Sequence, residues 1–405
     1  IAAVSVFFPI LFFLLAFVIG ISAGTTVLIG QAWGAQNLEK VRCVIGSTLF
    51  MTLIGGSVIA VLGVMMAEPM LKLLGTDAKV MHLSLPYVQW MLAGSPLLFV
   101  YIIYTSILRG VGDSVTPLIA LSLTSLIGLA VTPVLLKGYF GFPALGIVAP
   151  AIATILGYAA VLIFLGFYLN YKNHPLKIDA RLLQSIRHDA TLSKLILKLG
   201  IPTGIQMVTT SLAGLVIIGL VNHYGAHATA AYGAVNQVLN YIQFPALSIS
   251  IAASIFAAQA IGAGKPDLLA KVTRTALGMN VIFTGSLITL AYLFSKYLMA
   301  LFITDHSVIE LGQQLLFIVL WAVLFFGASA IFASIMRASG TVNVPMMINI
   351  LTIILIEVPC AYWFSSLWGL TGIWTAYALS FVCLCVLQAS YYQFVWKKTK
   401  IKVLI

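Results

Sequence analysis

The chain has 405 residues, 61% of them hydrophobic and 8% charged, with a mean hydropathy of +1.10. That composition excludes a soluble globular domain. The net charge of +11 is no nucleic-acid signal, because the basic residues gather in the loops on one side of the apolar runs.

Taken in order, the apolar runs fall at 3–29, 43–67, 85–108, 116–136, 144–169, 198–222, 232–260, 271–295, 311–335, 344–364 and 371–396. Each suits a helix crossing a hydrocarbon layer of about 30 Å. The short alternating segments of a strand barrel are lacking. Alternate loops hold Lys72, Lys79, Lys137 and Lys296 on one side, and the remaining basic residues, Lys397 and Lys398 included, on the other. The richer side is expected to be cytoplasmic. Cys43, Cys360, Cys383 and Cys385 have no metal-ligand spacing and read as small apolar residues. No metal site and no cofactor is expected.

One stretch occurs twice. Gly30-Gln31-Ala32-Trp33-Gly34-Ala35 returns as Ala258-Gln259-Ala260-Ile261-Gly262-Ala263, an offset of 228 positions. In the same register Thr76-Asp77 returns as Thr304-Asp305, Arg109-x-x-Gly112 as Arg337-x-x-Gly340, and Pro117 as Pro345. A duplication of this kind in a membrane protein points to a transporter. The helix beginning near Gly200 has no first-half counterpart in the chain, so one further helix is expected upstream of Ile1. The expected fold is all-α and polytopic, with two parallel six-helix repeats around a central cavity, eleven of the twelve helices being present. The expected parts are a first lobe over 1–170, a basic cytoplasmic linker over 171–198, a second lobe over 199–396 and a cytoplasmic tail over 397–405. In the linker, Leu182-Leu183-x-x-Ile186 suits either a short amphipathic helix or a solvated connection.

Gly30-Gln-Ala-x-Gly-Ala35, Arg109-Gly-x-Gly112-Asp113, Gly200-Ile-Pro202, Ala257-Ala-Gln-Ala-x-Gly262 and Arg337-x-x-Gly340 together resemble the multidrug and toxic compound extrusion (MATE) antiporters. The resemblance covers nearly the whole chain. It implies export of a small, cationic, amphipathic substrate by alternating access, against H⁺ or Na⁺ entry, from a multi-pass position in a prokaryotic inner membrane. No nucleic-acid partner is implied, and a monomer suffices. Arg109 and Arg337 suit helix-end anchors, pairing with lipid phosphate or Asp113, or else gates. Gln31 and Gln259 also read as helix-end residues.

Ion coupling needs a group that changes charge within the membrane. Of the ten acids only Glu357 lies well inside an apolar run, thirteen residues past Val344, or roughly 20 Å along a helix. Pro359 beside it opens the helix locally. NorM-type members carry acids in the seventh and tenth helices, whereas Gln206-Met-Val-Thr-Thr210 and 315–335 offer none. DinF-type members carry an Asp in the first helix and an Asn-x-x-x-Asp-Pro pattern, where this chain has Gly128-x-x-x-Thr132-Pro133. The chain sits nearer the DinF-like branch. The upstream helix is the expected place for the main acid, with Glu357 the candidate in the chain itself. The amides and hydroxyl of Gln206, Asn236, Gln237, Gln243, Asn349, Gln89 and Thr132 are equally suited to orient a cation or to hold helices together.

A flippase for lipid-linked sugars of the same superfamily is the nearest rival, although the helix interiors hold few Lys or Arg for a phosphate. An intramembrane enzyme would need a buried His-Asp, Ser-Lys or HExxH set, and a channel a repeated filter loop; neither pattern appears.

Overall fold

Long apolar runs without water must satisfy their own backbone, and the protein does so with helices. The structure, a computed structural model, describes residues 7–73, 75–177 and 179–405. Residues 3–6 of the first expected span and the side chains of Lys79 and Leu183 lie outside that description. In chain order the helices are α1 (Phe8–Gly34), α2 (Leu38–Leu73), α3 (Ala78–Ala93), α4 (Ser95–Gly110), α5 (Val115–Lys137) and α6 (Ala149–Tyr171). After them come α7 (Ala180–Ser185), α8 (Ala190–Asn222), α9 (Ala226–Gly262), α10 (Leu268–Leu293), α11 (Ser295–Ala300) and α12 (His306–Val319). The chain closes with α13 (Val323–Ala338), α14 (Asn343–Thr352), α15 (Val358–Trp368) and α16 (Leu370–Phe394). Among the described residues ten spans are long and apolar enough to cross a membrane, and eleven if α3 and α4 count as one. The helices overrun the expected spans; α2 gains several residues at each end and α8 starts inside the basic stretch.

The described chain forms two units, 1–204 and 205–405, that part within α8. The first unit depends on a close crossing. Gly20 and Gly24 on α1 face Ile196, Gly200 and Gly204 on α8. A Cβ on Gly20 would stand 2.7 Å from the Gly200 carbonyl oxygen, and one on Gly200 2.6 Å from that of Gly20. Two glycines four apart on each helix let the backbones touch, and in lipid such close packing is a main source of helix association. Hydroxyls supply the rest. Ser22 Oγ donates to Ser106 Oγ of α4 at 2.6 Å, and Thr25 and Thr48 tie α1 to α2 at 3.3 Å.

The expected span 85–108 is broken at Gly94, where α3 and α4 bend by 46°. Pro96 removes the amide that would close the turn, and Ile155 of α6 fills the notch that Gly94 leaves. At the same register in the second unit, Leu320–Ala322 forms a 3-10 turn between α12 and α13. There Asn280 of α10 donates from Nδ2 to the Leu324 carbonyl at 3.1 Å. The core of this unit gathers Tyr232, Leu315, Leu316, Val323 and Trp374. A second cluster collects Ala257, Ile331, Ile335, Tyr392 and Trp396.

The duplicated motifs are helix C-caps. Ala35 N–H bonds the Gln31 carbonyl at 3.0 Å and Asn37 N–H that of Ala32 at 3.0 Å. Their counterparts are Ala263 to Gln259 at 2.9 Å and Lys265 to Ala260 at 2.9 Å. Gln36 and Gly264 between them take φ of 55° and 68°. Likewise Gly112 and Gly340, at φ of 95° and 87°, close the helices carrying Arg109 and Arg337. Each is a left-handed helix ending that satisfies orphan carbonyls.

Gly200→Ala is expected to lower stability in detergent by about 1–3 kcal/mol, because backbone must give way. Gly214→Ala, whose Cβ meets nothing within 4 Å, is expected to be neutral or slightly stabilising. Equal melting shifts for both variants would contradict the crossing.

Candidate functional site

Pro359 has no amide hydrogen, so the Leu355 carbonyl one turn earlier loses its usual partner. The helix answers by widening: 353–357 forms a π-helical turn in which Val358 N–H reaches the Ile353 carbonyl. π-turns inside α-helices often mark functional sites. Glu357 ends this turn, 9% exposed. Ser380 of α16 donates to its Oε2 at 2.9 Å. Among the described residues no Lys, Arg or His forms an ion pair with it.

α16 presents Trp374, Tyr377 and Ser380 three residues apart, hence along one face. The Tyr377 hydroxyl lies 3.1 Å from that of Tyr232 on α9. The Trp374 ring packs against both tyrosines, with centroids 5.4 and 5.5 Å apart. Its fully buried Nε1 has no partner. Further along the same helix, Gln388 donates to the Pro345 carbonyl at 2.9 Å, while its Oε1 and Asn349 Oδ1 are buried without partners. A buried carboxyl met by one hydroxyl from a neighbouring helix is an arrangement that both helix packing and a charge-changing group use.

Of the substrate-contact candidates, none is fully buried. Asn236, Gln237 and Gln243 lie on α9, Gln206 on α8 and Asn349 on α14; Gln89 and Thr132 lie in the first unit, on α3 and α5. Asn349 alone shares a helix line with Glu357. Sequence reasoning missed Ser380, whose partner Glu357 lies on the preceding span, and Tyr377 and Trp374, whose partner Tyr232 lies on a helix remote in the chain. The three-residue spacing on α16 is the only signal that pointed to them.

Arg109 does not pair with Asp113. Its guanidinium donates to Ser106 Oγ at 2.6 Å. Asp113 instead caps α5 through Val115 N–H and Thr116 N–H, and stands 3.7 Å from His174 Nε2. A carboxylate at a helix start is better placed facing amides than reaching back across the turn. Arg337 is half-buried at the end of α13. Gln31 and Gln259 close their helices through their own carbonyls, as described above.

The model of the MatE family matches residues 1–134 and 202–363. The probable multidrug resistance protein YoeA of Bacillus subtilis is 44% identical over 407 residues, covering 100% of this chain and 88% of that protein. The FAD transporter of Shewanella oneidensis is 27% identical, over 92% of this chain and 82% of its own length. An outward-facing multidrug resistance MATE family transporter of the MOP superfamily has the same fold. It superposes with a TM-score of 0.90 at 20% identity, covering 98% of this chain and 89% of that one.

His174 connects the Asp113 cap to the basic stretch. Leu176 N–H donates to its Nδ1 at 3.1 Å, so the ring hydrogen is assigned to Nε2, facing Asp113. Burial lowers the His174 pKa below its usual 6.5, against the pull of Asp113. A lowered value means that the unfolded chain binds the proton first, so this contact contributes above about pH 6.5 and is lost as pH falls through the folded value. Hydrogen exchange at the Leu176 amide is expected to be protected near pH 7.5. Corrected for intrinsic rate, protection should drop as pH falls below the usual histidine value of 6.5. Unchanged protection would contradict the assignment.

Proposed function

The chain belongs to the MatE family, whose members are transporters rather than enzymes, and from that premise we propose that it exports drug-like organic cations by antiport with protons, Glu357 being a coupling carboxyl. The observation that carries this reading is the pairing of Glu357 with Ser380 at 2.9 Å inside a helix opened by Pro359. A proton suits the site better than Na⁺. The described residues hold no group of three or more His, Cys, Asp or Glu that could hold a metal ion, and a cation held by Glu357 and Ser380 alone would lack most of its oxygen ligands. A proton needs only the carboxyl.

Loading works by exchange of charge. With the carboxyl ionised, the site favours an organic cation nearby; with the carboxyl protonated, that attraction is gone and the cation can leave. Each cycle thereby moves one proton in as one cation moves out. The charge bias of the loops supports a cytoplasmic position for the basic ends of the spans, the linker and the tail. The names of the multidrug resistance relatives support the export reading. The name of the Shewanella relative favours a second one, an anionic dinucleotide cargo.

The test is efflux of a fluorescent organic cation from everted vesicles. An imposed pH gradient is expected to drive it in the wild type, and a Na⁺ gradient is not. Glu357→Gln is expected to reduce gradient-driven efflux by about tenfold or more, as removal of a required charge change should. Efflux equal to wild type in that variant would remove Glu357 from the coupling. Movement of FAD, but of no cation, would favour the second reading.

A further inference from the structure

Glu39, Arg42 and Cys43 at the start of α2 face Arg181, Ser185, Arg187 and Asp189 of the basic stretch across a cavity of about 470 Å³. Its walls are built. Ser185 Oγ donates to the Arg42 carbonyl at 3.1 Å, and Ser47 and Ser193 meet at 3.2 Å. The carbonyl of Ser185 occupies the space that a side chain on Gly46 would need. The Leu182 side chain is buried beneath α7, and His188 packs on Phe50 with centroids 5.8 Å apart.

Two of the acids at this site are already engaged. Asp189 accepts from Leu192 N–H at 3.0 Å at the start of α8. Asp179 accepts from Leu182 N–H at 2.8 Å and stands 3.7 Å from Arg42. Arg181 and Arg187, both exposed, enter no ion pair among the described residues. Arg181 also acts through space on Asp179, and Glu39 adds a carboxylate to the lining. The two exposed guanidiniums over this polar cavity still match a phosphate, which guanidinium forks bind bidentately.

The source of that phosphate is indicated by α2. Cys43 lines the cavity, and Phe50, Ile54 and Val61 lie above it at helical spacing on the same face. Ile54 and Val61 are 49% and 60% exposed, and Val58 and Met65 beside them 49% and 73%. A basic cavity at the end of a span, continued by an exposed apolar stripe along the helix, fits one lipid molecule: head group below and acyl chain above. Basic pockets at helix ends are the common form of anionic head-group site, and the volume lies within the ordinary range for a small ligand of about 300–1,000 Å³.

We propose that the cavity between the start of α2 and 181–189 binds the phosphate head group of an anionic phospholipid, held by Arg181 and Arg187. The bound lipid pins the basic stretch to the first unit.

The test uses the full chain in detergent, with phosphatidylglycerol or phosphatidylcholine added and bound lipid counted by native mass spectrometry. Phosphatidylglycerol is expected to be retained at one copy per chain, and phosphatidylcholine to be lost. The double variant R181Q/R187Q should retain phosphatidylglycerol about thirtyfold less, the effect expected of two basic side chains near a head group. K397Q/K398Q, which removes the same charge from the exposed tail, should leave retention as in the wild type. Unchanged retention in R181Q/R187Q, or an equal loss in the tail variant, would overturn the proposal. Displacement of the lipid by glycerol 1-phosphate at equal concentration would assign the site to a soluble phosphate and overturn the lipid source.

Discussion

Inside hydrocarbon the exclusion of water does not press one apolar helix against another, and an unpartnered polar atom is costly. Both halves of that constraint are visible here. Helices approach closely where glycine lets them, as at Gly20 and Gly200. Side-chain hydroxyls largely return to their own helix: Thr48 donates to the Val44 carbonyl and Thr284 to Asn280 in the next turn. A carboxyl that departs from this economy therefore stands out. Glu357 is such a group. It is tolerated because Pro359 and the π-turn re-aim the helix and because Ser380 meets it.

The duplication turns out to be one of helix endings more than of chemistry. Gln36 and Gly264, or Gly112 and Gly340, hold the same backbone shape in two separate units. Glu357 has Leu129 as its first-half counterpart in the same register, and Ser380 has Ile152. The repeat thus keeps the frame of helix endings, while the Glu357–Ser380 pair has no counterpart at the matching described positions of the first unit.

Much of the frame was legible in the sequence because membrane helices announce themselves by length and hydropathy. The paired helix endings were legible through the 228-residue register, and the burial of Glu357 through its isolation in an apolar run. Other features were hidden for identifiable reasons. The break at Gly94 had a glycine and a proline to mark it, yet its partner at Leu320–Ala322 has neither. Ser380 and Trp374 sit in an unremarkable apolar helix, and only the packing of α16 against α15 and α9 gives them a role. The reach of Arg109 to Ser106 rather than Asp113 depended on rotamers that no spacing rule specifies. The cavity of Arg181 and Arg187 needed the basic stretch to fold back on α2, a tertiary event that charge counting describes only as a basic loop.

The central claim is that Glu357 exchanges a proton for a cationic substrate, and proton release on binding tests it most directly. Purified protein in weakly buffered detergent, mixed with a cationic dye substrate, is monitored with a pH indicator. The account predicts about one proton released per bound cation in the wild type, since the incoming charge displaces that of the carboxyl's proton, and none from Glu357→Gln. Equal release from both proteins would show that another group holds the coupling proton and would contradict the account.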